Sequence, residues 1–262
     1  MHVNEHSIQE LGQFPFARAV YAKFLHRLQD YGTKVAAFDI TFPERERNQS
    51  MEQLQAIHRE LSATEGPGAR SVKLIEGKLQ ASDGDTAFAE ALAGLKMPVV
   101  LGFAFTGEHS GATGASDASP EQKALLQKYT LKRLQVKDNA LVSSMSEQIP
   151  VLPHVQLMRS MGPSATLGFF TADPDPDSVI RKAGAVMQYN GGAVASLAVR
   201  AVSSYLGVTP MVDGTSGVLH VRDVNETGAL DVPLLPSGNF LVRYYGGYEP
   251  HMGKTNFPYV EF

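Results

Sequence analysis

The 262-residue chain contains no cysteine and no tryptophan. Without cysteine there is no disulfide framework, no cysteine-ligated zinc or iron–sulfur site, and no thiol nucleophile. The absence does not fix a compartment, because an oxidising space tolerates a protein with nothing to oxidise. Long apolar runs are missing too. Crossing a bilayer takes about 20 apolar residues in a row, and the best uninterrupted stretch, Met97 to Phe105, falls far short. Met1 to His6 shows no basic end leading into an apolar run, so no signal peptide is read there. Either the protein is cytoplasmic or its membrane segments lie outside these residues. A basic excess is also lacking: 23 Lys and Arg stand against 27 Asp and Glu. The pI is near 6.1, so no nucleic-acid platform and no nucleic-acid partner is expected.

What is present is ordinary globular material. Hydrophobic residues make up 43% and the net charge is only −4, which excludes intrinsic disorder. The length suits one large domain or two small ones. No internal repeat or linker divides the chain, so residues 1–262 read as one domain, with 44–82 and 106–147 as insertions or long loops.

The periodicity predicts a helix over Phe14 to Asp30, with Ala17, Val20, Tyr21, Phe24, Leu25 and Leu28 on one stripe. Arg18, Lys23, Arg27 and Gln29 lie off it, and Gly32 is a natural stop. Lys34 to Phe42 is a short apolar run without alternation, as in a strand buried on both faces. Ser50 and Gln53 resemble a capping box before a helix carrying Met51, Leu54, Ile57 and Leu61. Gly66-Pro67-Gly68 then breaks the chain.

Asp83 to Asp85 caps a helix with the stripe Phe88, Leu92 and Leu95, and Met97 to Phe105 follows as a second buried strand. Thr106 to Ser119 has the composition of a mobile loop. Ser119-Pro120-Glu121 opens a further helix. Ala165–Phe170 and Ala183–Tyr189 read as strands three and four. Ala193–Leu206 reads as a helix and Gly207 as its stop. Short β segments follow at Val218–Val221, Asp231–Leu234 and Phe240–Tyr245. The expectation is an α/β single domain: a mostly parallel central sheet flanked by helices, with short antiparallel strands near the C-terminus.

Chemistry-bearing motifs are sparse. Gly107 to Gly111 and Gly214 to Gly217 are not nucleophile elbows, and no phosphate-binding loop occurs. The 8 His residues form no zinc-binding pair. Asp173, Asp175 and Asp177 alternate like the first ligands of a calcium loop. Ser178 stands at the loop's glycine position and Gly184 at its glutamate position. A solvated acidic turn, with Asp177 paired to Arg181, is therefore favoured over a divalent-cation site, and no cofactor is expected. Asp39 sits near the carboxyl end of a parallel strand, where open α/β sheets bind ligands. The plainer reading is an Asp that satisfies turn N–H groups.

Four stretches share an order with a known family. They are Val35 to Phe42, Asp85 to Leu92 before Met97 to Gly102, Asp173 to Arg181 before Ala195 to Val199, and Gly238 to Gly246 with Phe257 to Phe262. Together they resemble the second type of CHASE domain, a sensory module on the extracytoplasmic side of bacterial receptors with cyclase, histidine-kinase or protein-kinase output. The likeness spans nearly the whole chain. Ser178 replaces the family's usual glycine, and 44–82 and 106–147 run longer than the family's pattern.

The resemblance implies a non-enzymatic sensor domain of a membrane-anchored, homodimeric receptor on the periplasmic face of the inner membrane. Adenylate cyclase is the first guess for its output. The signal would be a small molecule, an ion or a protein. Asp39, Glu44, Asp85, Asp177 and Arg181 are the candidate signal-binding residues. Phe16, Val20, Phe24 and Leu28 are the candidates for dimer contact or membrane coupling, against the plainer reading that they pack on their own sheet. The competing expectation is a free-standing metal-dependent α/β hydrolase using Asp39 and neighbouring carboxylates.

Overall fold

The computed structural model describes residues 5–12, 14–46, 49–106, 118–131, 134–135, 143–144, 149–172, 174–190, 192–213, 218–222, 229–235 and 238–243. Its first half runs helix α1 (Glu5–Leu11), helix α2 (Arg18–Asp30), strand β1 (Ala36–Phe38), helices α3 (Gln49–Glu65), α4 (Arg70–Ala81) and α5 (Gly84–Gly94), and strand β2 (Val99–Thr106). Next come helix α6 (Pro120–Gln127), strands β3 (Leu134–Gln135), β4 (Ser143–Ser144) and β5 (Ile149–Val151), helix α7 (Val155–Ser160) and strand β6 (Ala165–Phe169). The last part holds β7 (Lys182–Gly184), β8 (Val186–Tyr189), β9 (Gly192–Ala195), helix α8 (Leu197–Leu206), and strands β10 (Thr209–Asp213), β11 (Val218–Arg222), β12 (Ala229–Pro233) and β13 (Asn239–Leu241).

β1 and β6 pair in parallel with the two edges of β2, matching Phe38 to Leu101 and Leu101 to Leu167. β5 runs antiparallel along the last residues of β2. β10, β11 and β12 form an antiparallel meander, joined by β3 in parallel. β8 pairs with β9 and β4, and β7 with β13. The chain is thus a mixed α/β fold, and among the described residues its strands lie in four sheets, one of which holds the parallel set β1, β2 and β6.

The core is aromatic. Rings of Phe16, Tyr21, Phe38, Phe42 and Phe88 meet at centroid distances of 5.2–6.4 Å where α2 and α5 cover the β1–β2 face. Phe103, Phe105, Phe169 and Tyr189 continue it at 5.3–6.5 Å. Each such side chain contributes roughly 1.5–3 kcal/mol of burial. A second cluster joins Val186, Ala195, Val199, Leu219 and Val221 behind α8.

Local signals set most helix ends. Asp83 caps α5 by accepting from Thr86 N at 3.0 Å. Ser119 and Gln122 form a reciprocal capping box on α6, with Pro120 in the first turn. After α2, Gly32 takes φ +73°. Thr33 N then donates to Leu28 O and Gly32 N to Gln29 O, closing the helix end.

Several expectations need correction. Gln49 already belongs to α3, so Ser50 lies inside the helix and is not its cap. Beyond Gly66-Pro67-Gly68 the chain forms α4, which packs on α3 as a hairpin. Ala193–Ala195 is strand, not the start of a helix. Asn190 enters the left-handed region at φ +47° and turns β8 back into β9, and Ser196 caps the shorter α8. The expected loop at Thr106–Ser119 falls largely outside the described residues.

Candidate functional site

α2, α5 and α7 precede the parallel strands β1, β2 and β6 and run back along them, so their N-termini gather at the strands' carboxyl ends. The loop leaving β1 crosses this point with Phe42, Glu44, Arg45 and Glu46. His154 N donates to Phe42 O at 2.7 Å and ties the start of α7 to that loop.

Arg18, expected off the buried stripe, is instead enclosed there. Its Nε faces Asp85 Oδ1 at 3.5 Å, with side chains only 10% and 6% exposed. Neither of these two atoms makes a hydrogen bond. Arg18 Nη2 donates to Glu44 O at 3.4 Å, and the guanidinium lies 4.4 Å from the centre of the Phe42 ring. Asp85 Oδ2 accepts from Glu46 N at 2.9 Å.

The Glu46 carboxylate sits between two helix starts. Its Oε1 accepts from Arg18 N at 3.2 Å, and its Oε2 lies against Gly84, where any Cβ would collide with it. Helix N-termini favour such a negative charge. Burial pushes the Glu46 carboxyl above its usual range, against the pull of the Arg18 N–H, and Asp85 pushes it further. Burial likewise draws Arg18 below the ordinary arginine value, opposed by Asp85 and Glu46.

Beside this cluster lies a cavity of about 180 Å³. It is lined by Arg45, Glu46, Asp83, Gly84 and Asp85 and by Met51, Glu52 and Gln55 of α3. Arg45 Nη2 donates to Gln156 Oε1 at 3.0 Å, and Gln156 Nε2 donates to Thr86 Oγ1 at 3.2 Å, linking the rim to α7 and α5.

Of the residues picked from sequence, Glu44 and Asp85 meet here. Asp39 is exposed one residue beyond β1 and is not among the cavity's lining. Asp177 and Arg181 join each other at 2.7 Å on an exposed turn, where Arg181 also reaches Asp175 at 3.0 Å. Asp173 lies outside the described residues. Among the described residues no group of three or more His, Asp or Glu is placed to hold a metal ion. Phe16 is buried in the aromatic core, while Val20, Phe24 and Leu28 are half-buried along the flank of α2.

Sequence reasoning missed Arg18, Arg45, Glu46, Glu52 and Gln55. The mixed run Glu44 to Arg47 was the available signal, but its charges read as the start of a surface insertion.

The chain matches the CHASE2 domain model over residues 2–262 and belongs to that family, the sensory extracellular domains of receptors. No curated protein and no solved structure matches it. No helix among the described residues is long and apolar enough to cross a membrane. The family is one of sensors, not of catalysts, and the hydrolase reading gains no support from it.

Proposed function

We propose that this domain senses an extracytoplasmic signal at the cavity beside Asp85 and passes the change through α2 to a membrane-spanning segment and a cytoplasmic output domain. Arg18 carries the reading. It is the first residue of α2, and it is bonded at once to the loop after β1, to the start of α5 and to the cavity wall through Asp85 and Glu46. A ligand that shifts Asp85 or Glu46 moves the end of α2, and only ligands that favour one arrangement over another bias the output. The half-buried Val20, Phe24 and Leu28 are the surface for a second protomer, so the active form is a homodimer. Adenylate cyclase is the output we favour, with a histidine or other kinase as the alternative.

The test uses the full-length receptor in membrane vesicles, with cyclase and kinase activities read in parallel. Arg18→Lys keeps the charge but loses the fork that spans Glu44 and Asp85. The expected result is an output that no longer responds to conditions that switch the wild type, with the receptor still folded. An unchanged response would overturn the coupling through α2. Phe24→Cys, in a domain whose 262 residues hold no cysteine, offers a probe of the dimer. An oxidant should link two protomers through it, and failure to cross-link in intact receptor would remove the α2 dimer face.

A further inference from the structure

The charges around the cavity do not all balance one another. Glu46 is held at two helix starts, Asp83 is spent on capping α5, and Asp85 faces Arg18. That leaves Arg45 and Glu52, opposite charges lining one cavity of about 180 Å³. They form no ion pair with each other, and neither pairs with any other charged group among the described residues. Arg45 spends one N–H on Gln156 and keeps the rest of its fork. Asp85, 5% exposed, is held on both oxygens, Oδ1 facing Arg18 Nε at 3.5 Å and Oδ2 accepting from Glu46 N at 2.9 Å, so it has no carboxylate oxygen to spare. The volume lies below the roughly 300–1,000 Å³ of pockets for drug-sized ligands, so the occupant is small.

We infer that the cavity takes a small zwitterion of the α-amino-acid class, its carboxylate on Arg45 and its ammonium on Glu52. A guanidinium fork matches a carboxylate in two parallel bonds. An ammonium brings its donors to the unpaired Glu52 carboxylate. A lone cation would leave Arg45 unmatched, and a lone anion would leave Glu52 unmatched. The inference rests on the sensor reading, since it names the ligand class of that same cavity. It also gives the α3–α4 hairpin a role: α3 supplies Glu52, Gln55 and Met51, so the segment that reads as an insertion closes the binding site.

The experiment is thermal unfolding and calorimetric titration of the 262-residue chain with each of the twenty L-amino acids at 10 mM, about the level at which weak binding still raises the melting temperature by mass action. Ethylamine, propionate, magnesium chloride and calcium chloride are run at matched ionic strength. At least one amino acid should raise the melting temperature saturably while the amine, the acid and the salts do not. Glu52→Gln and Arg45→Gln, both at exposed positions, should each weaken that binding at least tenfold and leave the melting temperature of the free protein nearly unchanged. A shift from ethylamine or propionate alone, lost in the same variants, would overturn the zwitterion and keep the cavity as the sensing site. A shift from magnesium or calcium alone, or no shift at all, would overturn the inference. The receptor output with Arg18→Lys separately judges the coupling reading.

Discussion

Arg18 and Asp85 come from the first turns of two different helices and meet as a buried pair at 3.5 Å. Two charges taken out of water cost several kcal/mol each, and their attraction together with hydrogen bonds to neighbours offsets that cost. Arg18→Met or Asp85→Leu alone strands the other charge and is expected to cost about 3–5 kcal/mol. The double replacement should cost clearly less than the sum. Urea unfolding of the four proteins measures the coupling, and additive costs would show that the pair is not a unit.

His154 predicts a pH dependence. Its ring caps α7, with Nδ1 accepting from Gln156 N at 3.4 Å. Burial lowers its pKa from the ordinary 6.5, Asp85 opposes, and Arg45, Arg159 and Arg18 add to the lowering. Between the folded pKa and 6.5 the unfolded chain holds more protons, so this residue's contribution to stability rises with pH and is complete above the ordinary imidazole range. His154→Asn keeps a capping side chain without the titration. Melting curves from pH 5 to 8 should show the wild type losing more than the variant on the acid side. Parallel curves would remove the assignment.

Ser178 holds φ +64° on the exposed turn between Asp175 and Arg181. An L residue in the left-handed region costs about 1–2 kcal/mol, part of which glycine returns as extra entropy in the unfolded chain. Ser178→Gly is expected to stabilise by up to about 1 kcal/mol, read as a rise of about 2 °C in melting temperature. A fall would mean that the hydroxyl contributes more than the backbone strain costs.

Two glycines should respond in opposite directions to alanine. At Gly168 a Cβ would stand 2.6 Å from Leu197 Cα, because β6 packs directly against the start of α8. The contact is backbone, so the helix must move, and overpacking of this kind costs about 1–3 kcal/mol. Gly77 lies within exposed α4 with nothing near the added methyl, and alanine there should gain about 0.5–1 kcal/mol. Denaturant midpoints of the two variants check both signs at once.

Features that depend on neighbours in sequence were readable in advance. The caps at Asp83 and Ser119 need only a side chain and an N–H three residues on. The α5 stripe of Phe88, Leu92 and Leu95 follows from helical period, and all three are buried. The uninterrupted run at β2 marked a strand covered on both faces, and it lies between β1 and β6. Ala193 to Ala195 read as the start of a helix because a turn into a helix and a turn into a second strand use the same residues. The partner strand β8 decided between them.

The sequence by itself determined the family, the α/β class, the caps at Asp83 and Ser119 and the strands that carry the core, because period, turn chemistry and motif order are local properties. It did not determine the site. On its own helix Arg18 is one of several cations off the apolar stripe, and nothing nearby distinguishes it from Lys23 or Arg27, which are exposed. Only the tertiary structure chose it, by bringing Asp85, the Glu44 carbonyl and the Phe42 ring around one guanidinium and the Glu46 carboxylate onto the same residue's backbone N–H. A charge leaves water only where partners from other segments replace the solvent. Those partners come from the loop after β1 and the start of α5, and the fold alone sets them beside α2.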